Sequence, residues 1–261
     1  METDAPVTKA RADRATVVLR WAVGVVLAAV VVLAGLAAVA YAQTPEGIRH
    51  PAGTHYHFRL QLIVGGQAVN FGSAAYQTPL NHDICTAKLT NEPIHFHDNL
   101  DQFAHIHWAH ITGGLFLKNY GWNLVGGLSG VLGYRFDQLP KVTAVPIHGH
   151  VLPAPPAGAH YYIYTGDQTS YQQRNWNDFL HQDINVFFGH PTISAAQPTS
   201  QSWWLWLVPT ASAHGDETEL TELNHVVGSA VIFVQPEAPT AAQIKDRFNH
   251  LIPLPTSTCG G

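Results

Sequence analysis

The chain has 261 residues, enough for one or two domains with a sizeable core. Charged residues make up only 12% of it, the formal net charge is −5, and no basic block stands out beyond the N-terminus, which argues against a nucleic-acid partner. Histidine, at 17 residues, is almost as frequent as the 18 acids, while methionine occurs only as Met1 and cysteine only as Cys85 and Cys259, so soft sulfur ligands are nearly absent.

The segment Trp21 to Tyr41, "WAVGVVLAAVVVLAGLAAVAY", is uncharged, apolar and long enough to cross a bilayer as a helix. Lys9, Arg11, Arg14 and Arg20 precede it, and the next basic residue is Arg49. The positive-inside rule then puts the N-terminus in the cytoplasm and the bulk of the chain outside, at the cell membrane. "AYA" before Gln43 resembles a signal-peptidase site, but the apolar run exceeds a usual signal core, so a retained anchor is the expectation and a cleaved signal the alternative. Export permits a disulfide, and Cys85 with Cys259 is the one possible intrachain pair; Cys85 is otherwise a candidate metal ligand.

Beyond the anchor, Tyr56, Phe58, Leu60, Leu62 and Val64 alternate with His55, His57, Arg59 and Gln61, which predicts a strand. Gly65-Gly66 predicts a tight turn into a second strand over Gln67 to Phe71. Glycines interrupt the segment after the histidine-rich stretch, leaving room for a short helix from Leu115 to Tyr120. "PKVTAVPIHGHVLPAPPAG", Pro140 to Gly158, marks the clearest internal boundary. After it, "AHYYIYTGD", "DINVFFGHP" and "GSAVIFVQPE" predict strands, "QRNWNDFLHQ" a helical turn and "DETELTEL" a helix. "SWWLWLVP" reads as a strand buried on both faces. "TAAQIKDRFNHLI" predicts an amphipathic helix capped by Thr240, with Ile244, Phe248, Leu251 and Ile252 as its apolar stripe.

The expected architecture is α+β, a β-rich exported domain behind one N-terminal transmembrane helix. Residues 1–16 form a cytoplasmic tail, 17–41 the anchor or uncleaved signal and 42–139 a histidine-rich β domain. Residues 140–158 form a proline-rich linker, and 159–261 a second α+β part packed on the first.

The chemistry concentrates in "PIHFHDNLDQFAHIHWAH", Pro93 to His110. Centring the connection on Asp101 folds it into a hairpin with His97 opposite His105 and His95 opposite His107. Side chains alternate along a strand, so the four imidazoles share a face and Ile94, Phe96, Ile106 and Trp108 the other. Opposed Cβ atoms lie about 4.5–5.5 Å apart, which lets three or four ring nitrogens reach one ion at about 2.0–2.1 Å. The competing reading is a solvated strand face, but its ordinary occupants (Lys, Glu, Thr, Arg) are missing from these positions. His95, His97, His105 and His107 are therefore the expected metal ligands. His55 and His57 join them if their strand is a neighbour. Asp98 is a ligand, an orienter of an imidazole or a turn residue. His82 and His110 read as surface residues, and His148 and His150 as a secondary contact at most. An imidazole set on an oxidising exterior suits Cu(II) or Zn(II).

These residues resemble a family of membrane-anchored, exported domains of bacteria and archaea. Its pattern runs from an H-x-H strand through a cysteine to L-H-T-H-D-x-x-G-x-I-H-I-E and T-L-G-x-F-F. The matching positions are His55 and His57, Cys85, "IHFHD" at 94–98, "HIH" at 105–107 and "ITGGLFLKNYG" at 111–121, with "DINVFFG" at 183–189 a weaker match. The connection is one residue longer here, lacks the glycine, and carries His107 where the family has an acid. The resemblance implies location and clustered histidines, and no activity.

Three functions compete at this stage: an extracytoplasmic metal-binding protein in metal handling or sensing, a structural or cell-surface module with structural metal or none, and a metal-dependent enzyme. An enzyme is the less expected of these, because no H-E-x-x-H, G-x-S-x-G or nucleotide-binding glycine loop occurs. No protein partner is implied.

Overall fold

The structure is a computed structural model that describes residues 5–43, 46–49, 52–77, 93–122, 124, 152–191 and 226–253. Cys85, Cys259, His82, His148 and His150 lie outside the described residues, as do "DETELTEL" and "SWWLWLVP".

Helix α1 (Ala5–Gln43) belongs to a compact unit separate from the sheet. Its stretch from Thr16 to Val39 is long and apolar enough to cross a membrane, and its side chains are exposed. Those 24 residues span about 36 Å at 1.5 Å per residue, more than a hydrocarbon core of about 30 Å.

The second unit is built on one mixed sheet. Its strands are β1 (Gly53–Val64), β2 (Gln67–Ala68), β3 (Ile94–His95), β4 (Phe103–Trp108), β5 (His160–Gly166), β6 (Tyr171–Arg174) and β7 (Val226–Gln235). The order is β3-β4-β1-β7-β5-β6, with β2 paired to the end of β1. β1 is antiparallel to β4 and parallel to β7, so segments on both sides of the proline-rich stretch share one sheet. Among the described residues its helices are α2 (Glu46–Arg49), α3 (Gly113–Asn119), α4 (Trp176–His181), α5 (Ile184–Phe187) and α6 (Ala241–Asn249). The α+β class agrees with the sequence reading.

The first turn forms as the glycines predict: Gly65 and Gly66 have φ of 57° and 85°, which a two-residue hairpin requires, and Val64 pairs with Gln67. The second strand stops at Ala68 rather than reaching Phe71, whose backbone N–H donates to Asp101 Oδ1 at 2.8 Å instead. "DINVFFG" is a correction: it is helical, not extended. Asp183 accepts from the Asn185 N–H, caps α5 and turns Ile184 and Phe187 into the core. Thr240 caps α6 as expected, in a reciprocal box with Gln243.

One face of the sheet carries the main core. Tyr56, Phe58, Leu60, Phe96, Ile106 and Trp108 pack there with residues of α3, α4 and α5, among them Leu115, Phe116, Phe179 and Phe187. The opposite face has two halves. In one, Ile63, Val231 and Phe233 form a second core with Ile244 and Phe248 of α6. The other half is made of histidine.

Candidate metal centre

β4 lies between β3 and β1, and each of these strands carries one H-x-H pair or begins one. Strand alternation sends all six imidazoles to the same side. The expected hairpin register needs correction. His95, not His97, stands opposite His105, and Ile94 stands opposite Ile106, a shift of two residues. An even shift preserves the faces, so the histidines stay together. The cause lies in the connection. Asp98, Asn99 and Gln102 adopt φ of 58°, 56° and 69°, conformations that Asp and Asn tolerate better than most side chains. The chain leaves the ladder early, and Phe96 bridges to Gln77 instead of continuing against β4. Gln77 secures the loop by accepting from the Asn99 N–H and donating to the Phe71 carbonyl.

His57 also stands opposite His105, from β1. His105 is thus flanked by His57 on one side and His95 on the other. The six rings are between 0% and 2% exposed, so this is no solvated strand face. Two groups of three have ligand atoms within 4.8 Å of one another: His55, His57 and His105, and His95, His105 and His107. His97 belongs to neither triad, although its ring centroid lies 3.9 Å from that of His105 and 5.3 Å from that of His95. The four residues expected as one ligand set are adjacent, yet the sets that converge most closely recruit the β1 pair. Only strand pairing reveals this, because His57 and His105 are 48 positions apart.

Nitrogen positions indicate what the cluster can do. His57 Nε2 lies 2.9 Å from both His55 Nε2 and His105 Nδ1. A neutral imidazole nitrogen carries one proton or one in-plane lone pair, so it cannot fully serve two such neighbours. A cation taking a lone pair from each ring satisfies all three. Nitrogens about 2.0–2.1 Å from a tetrahedral ion stand about 3.3 Å apart, within a few tenths of an ångström of the observed contacts. In the other triad, among the described residues, His95 has no hydrogen-bond partner at either nitrogen, and Nε2 of His105 has none. Nε2 of His97 is likewise buried without a partner. Leaving such groups unpaired costs about 1–3 kcal/mol each.

Protons do not fill this role. Burial, and secondarily repulsion among the rings, holds His95 and His105 well below the ordinary histidine value; the same causes bring His55 down to about 4. His55, His95 and His105 are therefore neutral at physiological pH, the state in which imidazole binds metals.

Asp98 sits at the rim. Its half-exposed carboxylate accepts from His97 Nδ1 at 2.9 Å, leaving Nε2 as that ring's inward nitrogen. This is the arrangement of an imidazole orienter. Phe103, which the sequence did not single out, stacks on His57 with centroids 4.9 Å apart and forms an apolar wall. His110, expected at the surface, is partly buried against Asp183 and Glu46, whose carboxylates raise its pKa. It takes no part in the cluster.

No protein family, curated protein or solved structure matches the chain. Its character rests on the histidines themselves: of six buried imidazoles, five form two overlapping groups of three with ligand atoms within 4.8 Å of one another.

Proposed function

We propose that this chain is a membrane-anchored extracytoplasmic protein that binds a divalent transition metal, Cu(II) or Zn(II), through the buried histidine cluster, in metal handling or sensing. The single observation that carries this reading is the pair of histidine triads with ligand atoms within 4.8 Å. The ligand set is nitrogen only among the described residues, which suits copper(II) and zinc and gives no preference for a thiolate-seeking metal. Affinity order favours copper where both are present. The apolar stretch Thr16–Val39 of α1, preceded by Lys9, Arg11 and Arg14 and containing Arg20 near its start, supports anchoring with the sheet domain outside. The likeness of residues 94–121 to the exported histidine-rich family supports the same location.

Complete burial favours a binder or a closed structural site over an enzyme, which needs an open coordination position. The test uses the full chain, purified in detergent and subjected to elemental analysis, beside variants with His95→Ala and His57→Ala. The reading expects tightly held copper or zinc that the double variant loses while its circular dichroism is retained. Metal loss that unfolds the domain makes the site structural. Absence of metal after loading and desalting overturns the reading.

A further inference from the structure

Two groups of three histidines meet at His105. One consists of His55 and His57 from β1 with His105; the other consists of His95 from β3 and His107 from β4, again with His105. The two lie on opposite sides of the middle strand, and the residue they share is the one that faces both neighbours in the register. His105 Nδ1 is in contact with His57 Nε2 at 2.9 Å, while its Nε2 is buried with no hydrogen-bond partner. The rings of the second triad are stacked rather than crossed. His95 lies 5.1 Å from His105 at an interplanar angle of 9° and 4.8 Å from His107 at 20°. His55 and His57, by contrast, are tilted by 58°. The two groups interleave, since the ring of His55 also lies 4.5 Å from that of His107, and His105 belongs to both.

We propose that the cluster holds two metal ions, one in each triad, with His105 as an imidazolate bridge between them. The inference rests on the metal-binding reading above and states its stoichiometry and its shared ligand. Nδ1 of His105 binds the ion held by His55 and His57, and Nε2 binds the ion held by His95 and His107. The ring gives up its remaining N–H proton to solvent as the second ion binds, so one metal–nitrogen bond replaces one N–H bond. That loss lowers by one the positive charge brought into the core. Two ions on one five-membered ring, each about 2.0 Å from a nitrogen, stand roughly 6 Å apart, close enough for the bridge to couple them magnetically. His97, held by Asp98 beside His105, is positioned as an additional nitrogen for either ion.

The experiment is Cu(II) titration of the full-length protein in detergent, followed by desalting, copper analysis and electron paramagnetic resonance at cryogenic temperature. The expected result is two copper ions per chain, with a spin count well below half the copper content because the bridged pair couples antiferromagnetically. His55→Ala and His95→Ala should each retain one copper whose spin count equals its copper content. His105→Ala should show no coupled pair at any loading. The two single-triad variants keep the proposal testable if loss of His105 prevents folding. One copper per chain, lost in both His55→Ala and His95→Ala, leaves the metal-binding reading intact and overturns the pair. Two coppers with full spin intensity overturn the bridge. No retained copper overturns both readings.

Discussion

His105 meets more of the cluster than any other ring. His57 stands across from it on β1, His95 on β3, and the ring of His97 lies 3.9 Å away. The neutral imidazoles of His55, His95 and His105, packed this way, make the metal-free fold sensitive to acid. The sign follows from the protonation states. Unfolded histidines take up protons near 6.5, whereas burial lowers His55 to about 4 and holds His95 and His105 well below their ordinary value. The unfolded state therefore binds more protons as the pH falls. Stability is complete above about 6.5 and is lost as the pH falls toward 4, with His55 alone accounting for on the order of 3 kcal/mol. Urea unfolding of metal-free protein at pH 7.5 and pH 5 checks this. A midpoint that does not decline in acid contradicts the neutral-ring description. Asp98 gives a second test at this scale. Asn also populates the left-handed backbone that Asp98 adopts at φ 58°, so Asp98→Asn removes the charge without straining the loop. A loss of 10–100-fold in metal affinity is expected for removal of a partner that orients a ligand. Competition with a chromogenic chelator measures it, and unchanged affinity would show that the carboxylate does not position His97.

Among the elements, β1 is legible because its polar and apolar residues alternate without interruption from His55 to Leu62. The hairpin was legible in its faces and not in its register. Parity alone decides which side a strand residue occupies, whereas register depends on loop conformation, here the left-handed Asp98, Asn99 and Gln102. The sequence predicts a strand where α5 forms because four residues are too few to show a period; only the Asp183 cap separates the two readings. Close packing between α3 and α4 was not legible either. A Cβ on Gly113 would collide with the ring and carbonyl of Phe179, which is fully buried. Gly113→Ala is therefore expected to destabilise the domain by about 1–3 kcal/mol, the usual cost of overpacking. A lowered thermal midpoint checks it, and an unchanged one would mean the helices separate freely.

At the level of the whole molecule, β1 and β7 are parallel neighbours although their residues are more than 160 positions apart, as with Arg59 and Ser229. Local periodicity identifies both strands but says nothing about such pairing. That pairing places the two halves of one sheet face side by side: the apolar half under α6 and the histidine half on β3, β4 and the start of β1. The apolar part of α1 is legible, since length and apolarity suffice, whereas its extension back to Ala5 is not. Anchoring by α1, as proposed, predicts that the full chain sediments with membranes, resists alkaline carbonate and is released by detergent. Protease added to intact cells should remove the sheet domain. Release by carbonate, or protection from protease until lysis, would contradict the anchor or its orientation.

The central claim is that the buried imidazoles are metal ligands. X-ray absorption at the metal edge of the loaded, full-length protein tests it most directly. The account predicts a first shell of nitrogens at about 2.0–2.1 Å with the multiple scattering of imidazole rings, diminished in His95→Ala and in His57→Ala. A shell of sulfur or of oxygen alone, or a spectrum unchanged in both variants, would contradict it.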